Sequence, residues 1–149
     1  MKKLYLLLSF MLVVCYQAQT HYSQNFNLAG LNGWVNTDLN NDTYVWSNLN
    51  ASGIDANFGT GSLVSFSFID AINAAVTPDN LITSPLINLS TATASNLKLM
   101  YNLATHPSWP AEKYSIYITT SNVASNIIAS TPVFTEVVSG GGFLSQITR

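Results

Sequence analysis

Charge is scarce in this chain. Asp, Glu, Lys and Arg make up 8% of its 149 residues, against about 25% in typical globular proteins, so Ser, Thr and Asn must supply the polar surface. Five basic residues stand against seven acidic ones. That excludes a nucleic-acid binder working through a basic patch, a coiled coil and a charged disordered tail. Cysteine is nearly absent, with Cys15 alone. No apolar run reaches the ~20 residues of a membrane-spanning helix. Also missing are an HExxH helix, a phosphate loop and a dinucleotide fingerprint, and Gly59 to Ser62 does not fit a nucleophile elbow. What remains is a length suited to one domain with a real core.

Residues 1–18 read as a secretory signal peptide. Lys2 and Lys3 form the charged start, Leu4 to Val14 form an apolar run broken only by Ser9, and Ala18 supplies a small residue for cleavage. Tyr16 is large for its place two residues before the cut. Cys15 raises lipid attachment, but Val14 is bulky where a lipobox carries Gly or Ala, so cleavage is the preferred reading. The product is secreted or surface-exposed. Its basic residues are Lys98, Lys113 and Arg149 against seven acids, a net charge of −4. With Cys15 gone, disulfides and thiol catalysis are excluded. A secreted domain without disulfides needs a full core or a bound metal.

Residues 20–149 read as strands and loops. Leu63–Ile69 alternates apolar and polar, Leu97–Leu103 places Leu97, Leu99, Tyr101 and Leu103 on one face, and Tyr114–Thr119 keeps Tyr114, Ile116 and Ile118 in register. Val133–Val138 is a fourth strand. Pro78, Pro85, Pro107, Pro110 and Pro132 fall between or at the ends of these runs. Asp70–Val76 is suited to one short helical turn, and no segment after the signal has a sustained helical period. The expectation is an all-β sandwich. Gly140 to Gly142 forms a loop, and Phe143 to Arg149 begins a strand that does not finish. Four or five strands are few for two sheets, so the domain reads as incomplete at its C-terminal end.

No catalytic constellation is visible. His106, before Pro107, reads as a loop residue, and nothing in their spacing pairs the seven carboxylates for acid–base work. The strongest ligand cluster is Asp38, Asn40 and Asp42, oxygen-bearing side chains at alternate positions. Calcium takes six to eight oxygens, so these three need help from a carbonyl, such as that of Tyr44, from another carboxylate or from water. Asn41 and Thr43 stand where such loops usually carry glycine. Taken alone, the segment reads equally as a calcium loop and as an Asx-rich turn. Trp34 and Trp46, which flank it, read as core. Trp109, between Ser108 and Pro110, reads either as an exposed ligand-binding platform or as packing.

Three motifs together resemble the cleaved-adhesin domain, also called choice-of-anchor J, of secreted Bacteroidetes proteins, including the adhesin regions of gingipain proteases. They are Gly33-Trp34 followed by the Asp/Asn loop and Trp46, then Thr77 to Leu89, then Pro107 to Thr120. In order, they span about residues 24 to 139. The resemblance implies a jelly-roll β-sandwich related to carbohydrate-binding modules, with structural calcium and no catalysis. The family loop reads closer to Asp-x-Asp-Gly-Asp-Gly, so Asp38, Asn40 and Asp42 hold its alternating positions with one carboxylate and the glycines replaced. Leu81 stands where the family usually has an aromatic residue, and Trp109 where it has Tyr. The C-terminal segments of family domains, and a sorting domain of the type IX secretion kind, are not in these 149 residues.

The function this implies is a secreted, non-catalytic adhesin-type module binding a carbohydrate or an extracellular or surface protein. The competing readings are an accessory module of a secreted peptidase or other hydrolase, and a structural spacer in a surface array. Glu112 is placed either to brace the Trp109 loop through backbone N–H groups or to serve as a distant calcium ligand.

Overall fold

The computed structural model describes residues 20–49, 61–92, 97–106, 109–139 and 147–148. Residues 1–18, read as a signal peptide, and Asp55, Pro107 and Gly140 to Gly142 lie outside the described residues. Within them, strand is the dominant regular element, so the chain is all-β as its alternation predicts.

β1 (Val35–Asp38) pairs antiparallel with β6 (Asn80–Thr83), with Asp38 opposite Asn80. β2 (Ser47–Asn48) pairs with β3 (Leu63–Val64), and β4 (Phe68–Ile69) with β5 (Ala74–Ala75). β7 (Asn102–Leu103) pairs with β10 (Ile147–Thr148), and β8 (Lys113–Ile116) with β9 (Phe134–Val137). Among the described residues every ladder is antiparallel and two strands wide.

The structure shortens three of the four expected strands and divides one. Leu63–Ile69 becomes β3 and β4, because its first half pairs with β2 and its second with β5. Leu97–Leu103 is a ladder strand only at Asn102 and Leu103, where β10 faces it. Leu97 and Leu99 are therefore exposed rather than core. The third strand stops at Ile116, leaving Ile118 70% exposed. The short turn expected after Ile69 is present as a 3₁₀ turn, Asp70–Ile72, which Asn73 closes with φ of +49°.

The α-helix α1 (Ala124–Ala129), among the described residues, is not legible in the alternation. At six residues it is too short for a periodic signal. The Ser121 hydroxyl accepts hydrogen bonds from the Val123 N–H and the Asn126 amide, which organises its first turn. Among the described residues, Ile127 from this helix, Val138 and Leu49 are the buried apolar ones. Val133 N–H to Ile116 O and Val138 N–H to Glu112 O extend the β8–β9 ladder past both ends, which seats Val138 in the interior.

Trp34 and Trp46, read from the sequence as core, are half-buried. Trp34 packs edge-on against Phe26 and donates to the Tyr22 hydroxyl at 2.8 Å. Trp46 donates from Nε1 to the Asn80 carbonyl at 3.1 Å, tying the segment after the acidic loop to β6. Gly61 has φ of +98°, and a Cβ there would collide with the backbone of residues 25–27. Only glycine fits such a close approach.

Candidate functional site

β1 delivers Asp38 to the mouth of a tight loop. One carboxylate oxygen of Asp38 accepts the Asn41 N–H at 2.7 Å and the other accepts the Thr43 N–H at 2.8 Å. Asp42 accepts the Tyr44 N–H at 2.9 Å, so Tyr44 joins the loop through its N–H. The Asn40 amide donates to the second oxygen of Asp42 at 3.1 Å and to the Thr77 carbonyl at 2.9 Å. The loop is thereby pinned to the segment that enters β6, together with a Leu39 N–H to Asp79 O bond of 3.0 Å. Asn41 and Thr43 adopt φ of +59° and +71°. These are the two positions where glycine was expected, and the backbone does take the left-handed conformation there.

The structure thus brings Asp38, Asn40 and Asp42 into one loop and adds the Thr77 carbonyl, 37 residues away. Carboxylate oxygens keep further lone pairs after accepting one N–H each, so the donor chemistry suits a hard cation. The set remains small: among the described residues no three His, Cys, Asp or Glu side chains gather at one point.

Trp109 lies elsewhere and is 67% exposed. Its indole stacks on the His106 ring with centroids 4.6 Å apart and planes 26° apart. It also lies nearly parallel, at 18°, to Phe68 with centroids 6.4 Å apart. A bridge joins His106 and Trp109, with Trp109 N–H bonded to His106 O at 3.2 Å. Phe68 is itself 42% exposed, and next to it Phe66, Ile69 and Asp70 complete a shallow cleft of about 190 Å³. Glu112 braces this region through a short hydrogen bond from the Ser67 hydroxyl. Its partner is therefore a side chain of the neighbouring segment, where a backbone N–H was expected. Nothing in the sequence pattern places His106 and Phe68 beside Trp109. An alternating run marks Phe68 as a strand residue without saying which ring it will meet.

A third cluster was also missed. Tyr114 donates to Glu136 at 2.6 Å across the β8–β9 ladder, and its hydroxyl lies 2.7 Å from that of Tyr101. Burial first, then the hydrogen bonds to Glu136 and Tyr101, push the Tyr114 phenol well above its ordinary value. An exposed phenol titrates near 10. A hydroxyl held this firmly in its neutral form bridges strands and is poorly suited to proton transfer at neutral pH.

Among the described residues no helix is long and apolar enough to cross a membrane. A family model described as Cleaved Adhesin Domain matches residues 20–148. No curated protein and no solved structure matches the chain.

Proposed function

The chain belongs to the cleaved-adhesin domain family, and on that premise we propose that it is an exported, non-catalytic binding module. It meets a carbohydrate or an extracellular or surface protein through the surface around Trp109. The observation that carries this reading is the exposure of Trp109 on an ordered stack with His106 and Phe68. Trp is a highly buried residue on average, and aromatic anchors of this kind are enriched at binding hot spots. The stack lowers the ordering cost of binding, because the indole is held before the ligand arrives. Export rests on the three-part pattern of residues 1–18.

The same premise supports calcium in the Asp38 loop, with Asp38, Asn40, Asp42 and the Thr77 carbonyl as its protein oxygens. Bound there, the ion would supply charge that orders the loop, and it would have no chemical role. A site with two carboxylates binds calcium weakly. The five strand pairs belong, in this reading, to one jelly-roll-like β-sandwich. The non-sequential pairings β1–β6 and β7–β10 support it, since such folds join strands distant in sequence. A crystal structure with these pairs side by side in a single sheet would overturn that arrangement.

The functional test is a binding screen of the purified chain against immobilised glycans and extracellular-matrix proteins, repeated with Trp109→Ala. A ligand bound by the native chain and lost with Trp109→Ala supports the proposal. A ligand bound equally well by both sinks the assignment to Trp109, and no ligand at all favours a structural spacer.

A further inference from the structure

Phe68 belongs to two features at once. Its ring lies nearly parallel to the Trp109 indole, with 18° between planes and 6.4 Å between centroids. It also lines the cleft of about 190 Å³, together with Phe66, Ile69 and Asp70. That cleft is smaller than the ~300–1,000 Å³ of a typical small-molecule site and has the scale of one side chain. Asp70 brings the charge to its wall. The residue is exposed, and among the described residues nothing pairs its carboxylate. Its backbone is fixed: the Asn73 N–H closes the 3₁₀ turn onto the Asp70 carbonyl at 3.1 Å, and the Val76 N–H bonds the Ser67 carbonyl at 2.9 Å across the hairpin.

The polar chemistry beside the stack is one-sided. A carboxylate accepts hydrogen bonds and donates none, and the Ser67 hydroxyl is already given to Glu112. Among the described residues no basic side chain lines the cleft. A sugar hydroxyl can donate to Asp70, but the cleft returns no side-chain donor for the sugar's own oxygens, which lose their water on entry. A cation replaces the water around Asp70 with an opposite charge. It gains from the rings as well, since aromatic faces attract positive charge within about 6 Å. The balance of the chain acts in the same direction: residues 20–149 carry a net charge of −4, which draws in a positively charged partner and repels an acidic one.

We propose, resting on the reading of Trp109 as the binding surface, that this site takes an arginine side chain of an extracellular protein. Its guanidinium lies against the Trp109 and Phe68 rings and pairs with Asp70. Arginine suits these groups better than lysine does. The guanidinium plane stacks on aromatic faces, and its fork gives two parallel hydrogen bonds to one carboxylate. Lysine brings the same charge as a strongly hydrated point without the plane. Trp and Arg are also among the residues most enriched at interface hot spots, which tend to pair with hot spots on the partner.

A capped peptide with one arginine among glycines, displayed on a surface at fixed density, tests this against the purified chain. Matched peptides carry lysine or citrulline, the neutral analogue of arginine. The arginine peptide is expected to bind at least about tenfold tighter than the citrulline peptide and several-fold tighter than the lysine one. Raising salt from ~50 to ~500 mM should narrow the gap to citrulline. Asp70→Asn, at an exposed position, should abolish the preference for arginine over citrulline while the melting transition stays in place. Equal binding of arginine and citrulline overturns the proposal, as does a preference that survives Asp70→Asn or an arginine peptide that does not bind. Failure of the underlying reading looks different. A neutral glycan bound through Trp109 and indifferent to Asp70→Asn keeps the binding surface and sinks the arginine assignment alone. An arginine preference unchanged by Trp109→Ala removes both.

Discussion

Thr43 donates its N–H to a carboxylate oxygen of Asp38 at 2.8 Å while its own backbone sits at φ of +71°. A β-branched residue is strained there, at roughly 1–2 kcal/mol, so Asp38 holds the turn against the local preference of the residue it binds. Thr43→Gly keeps the N–H and removes the strain. After the ~0.5–1 kcal/mol that glycine's extra chain entropy costs, a net gain of about 0.5–1 kcal/mol is expected. Calorimetry should register a melting temperature a few degrees higher, and an unchanged or lower value would contradict the strain argument.

Asn40→Asp reads out the calcium proposal. The substitution deletes the amide hydrogens that reach Asp42 and Thr77 and sets a third carboxylate in the loop. In chelator the variant should lose about 1–2 kcal/mol. In calcium it should recover, because added ligand charge raises affinity and bound ion stabilises the folded state by mass action. Melting scans in the two buffers measure both effects. A variant indifferent to calcium would return the loop to an ordinary Asx-rich turn.

Asn48 is 4% exposed and its amide nitrogen reaches three carbonyls, those of Phe26, Leu28 and Gly30, at 2.8–3.1 Å. It therefore organises the loop that precedes Trp34. Asn48→Ala strips these acceptors of their donor, and each buried unsatisfied group costs about 1–3 kcal/mol. A total loss of roughly 2–4 kcal/mol is expected in urea unfolding. A loss below about 0.5 kcal/mol, the usual range for unimportant surface positions, would show that water replaces the amide without penalty.

At Trp109 the signs separate binding from folding. With two thirds of its surface already in water, Trp109→Ala should change stability by less than about 1 kcal/mol, whereas ligand affinity should fall at least about tenfold. Phe68→Ala, which removes the parallel ring, should weaken binding in the same direction by a smaller factor. Paired melting and binding titrations test this. A large stability loss for Trp109→Ala would make the indole a packing residue.

Tyr114 supplies a pH signature. Its folded-state pKa is raised by burial and by its bonds to Glu136 and Tyr101, so the folded chain retains this proton where the unfolded chain releases it. The contribution is therefore intact below about pH 10, the unfolded value, and is lost as pH rises above it. Denaturant unfolding near pH 9 and pH 11 should show a loss that is smaller in Tyr114→Phe. An equal loss in both proteins would remove Tyr114 from the account.

Much of the local architecture was legible because it depends on neighbours in sequence. The alternation around Tyr114 and Phe134 marks β8 and β9, since a period of two suits a half-buried strand. The Asp38 loop was legible for a similar reason: its carboxylates bond N–H groups two, three and five residues away, within reach of short polar side chains. Leu63–Ile69 misled because periodicity records that a segment is extended but is silent on its partner. Ser65 to Ser67 interrupts the strand where the partner changes from β2 to β5.

What the sequence by itself determined is the all-β class, the family, the scarcity of charge and the alternating oxygen donors of the Asp38 loop. Tertiary structure alone decided that Phe68 and His106 accompany Trp109, that Ser67 clasps Glu112 across 45 residues, and that Thr77 enters the acidic loop. It also decided that Leu97 and Leu99, apolar and alternating, remain in water. The physical reason is range. Backbone preference and side-chain capping act over a few residues and are written in order along the chain, whereas these contacts arise only when loop closure brings distant segments together.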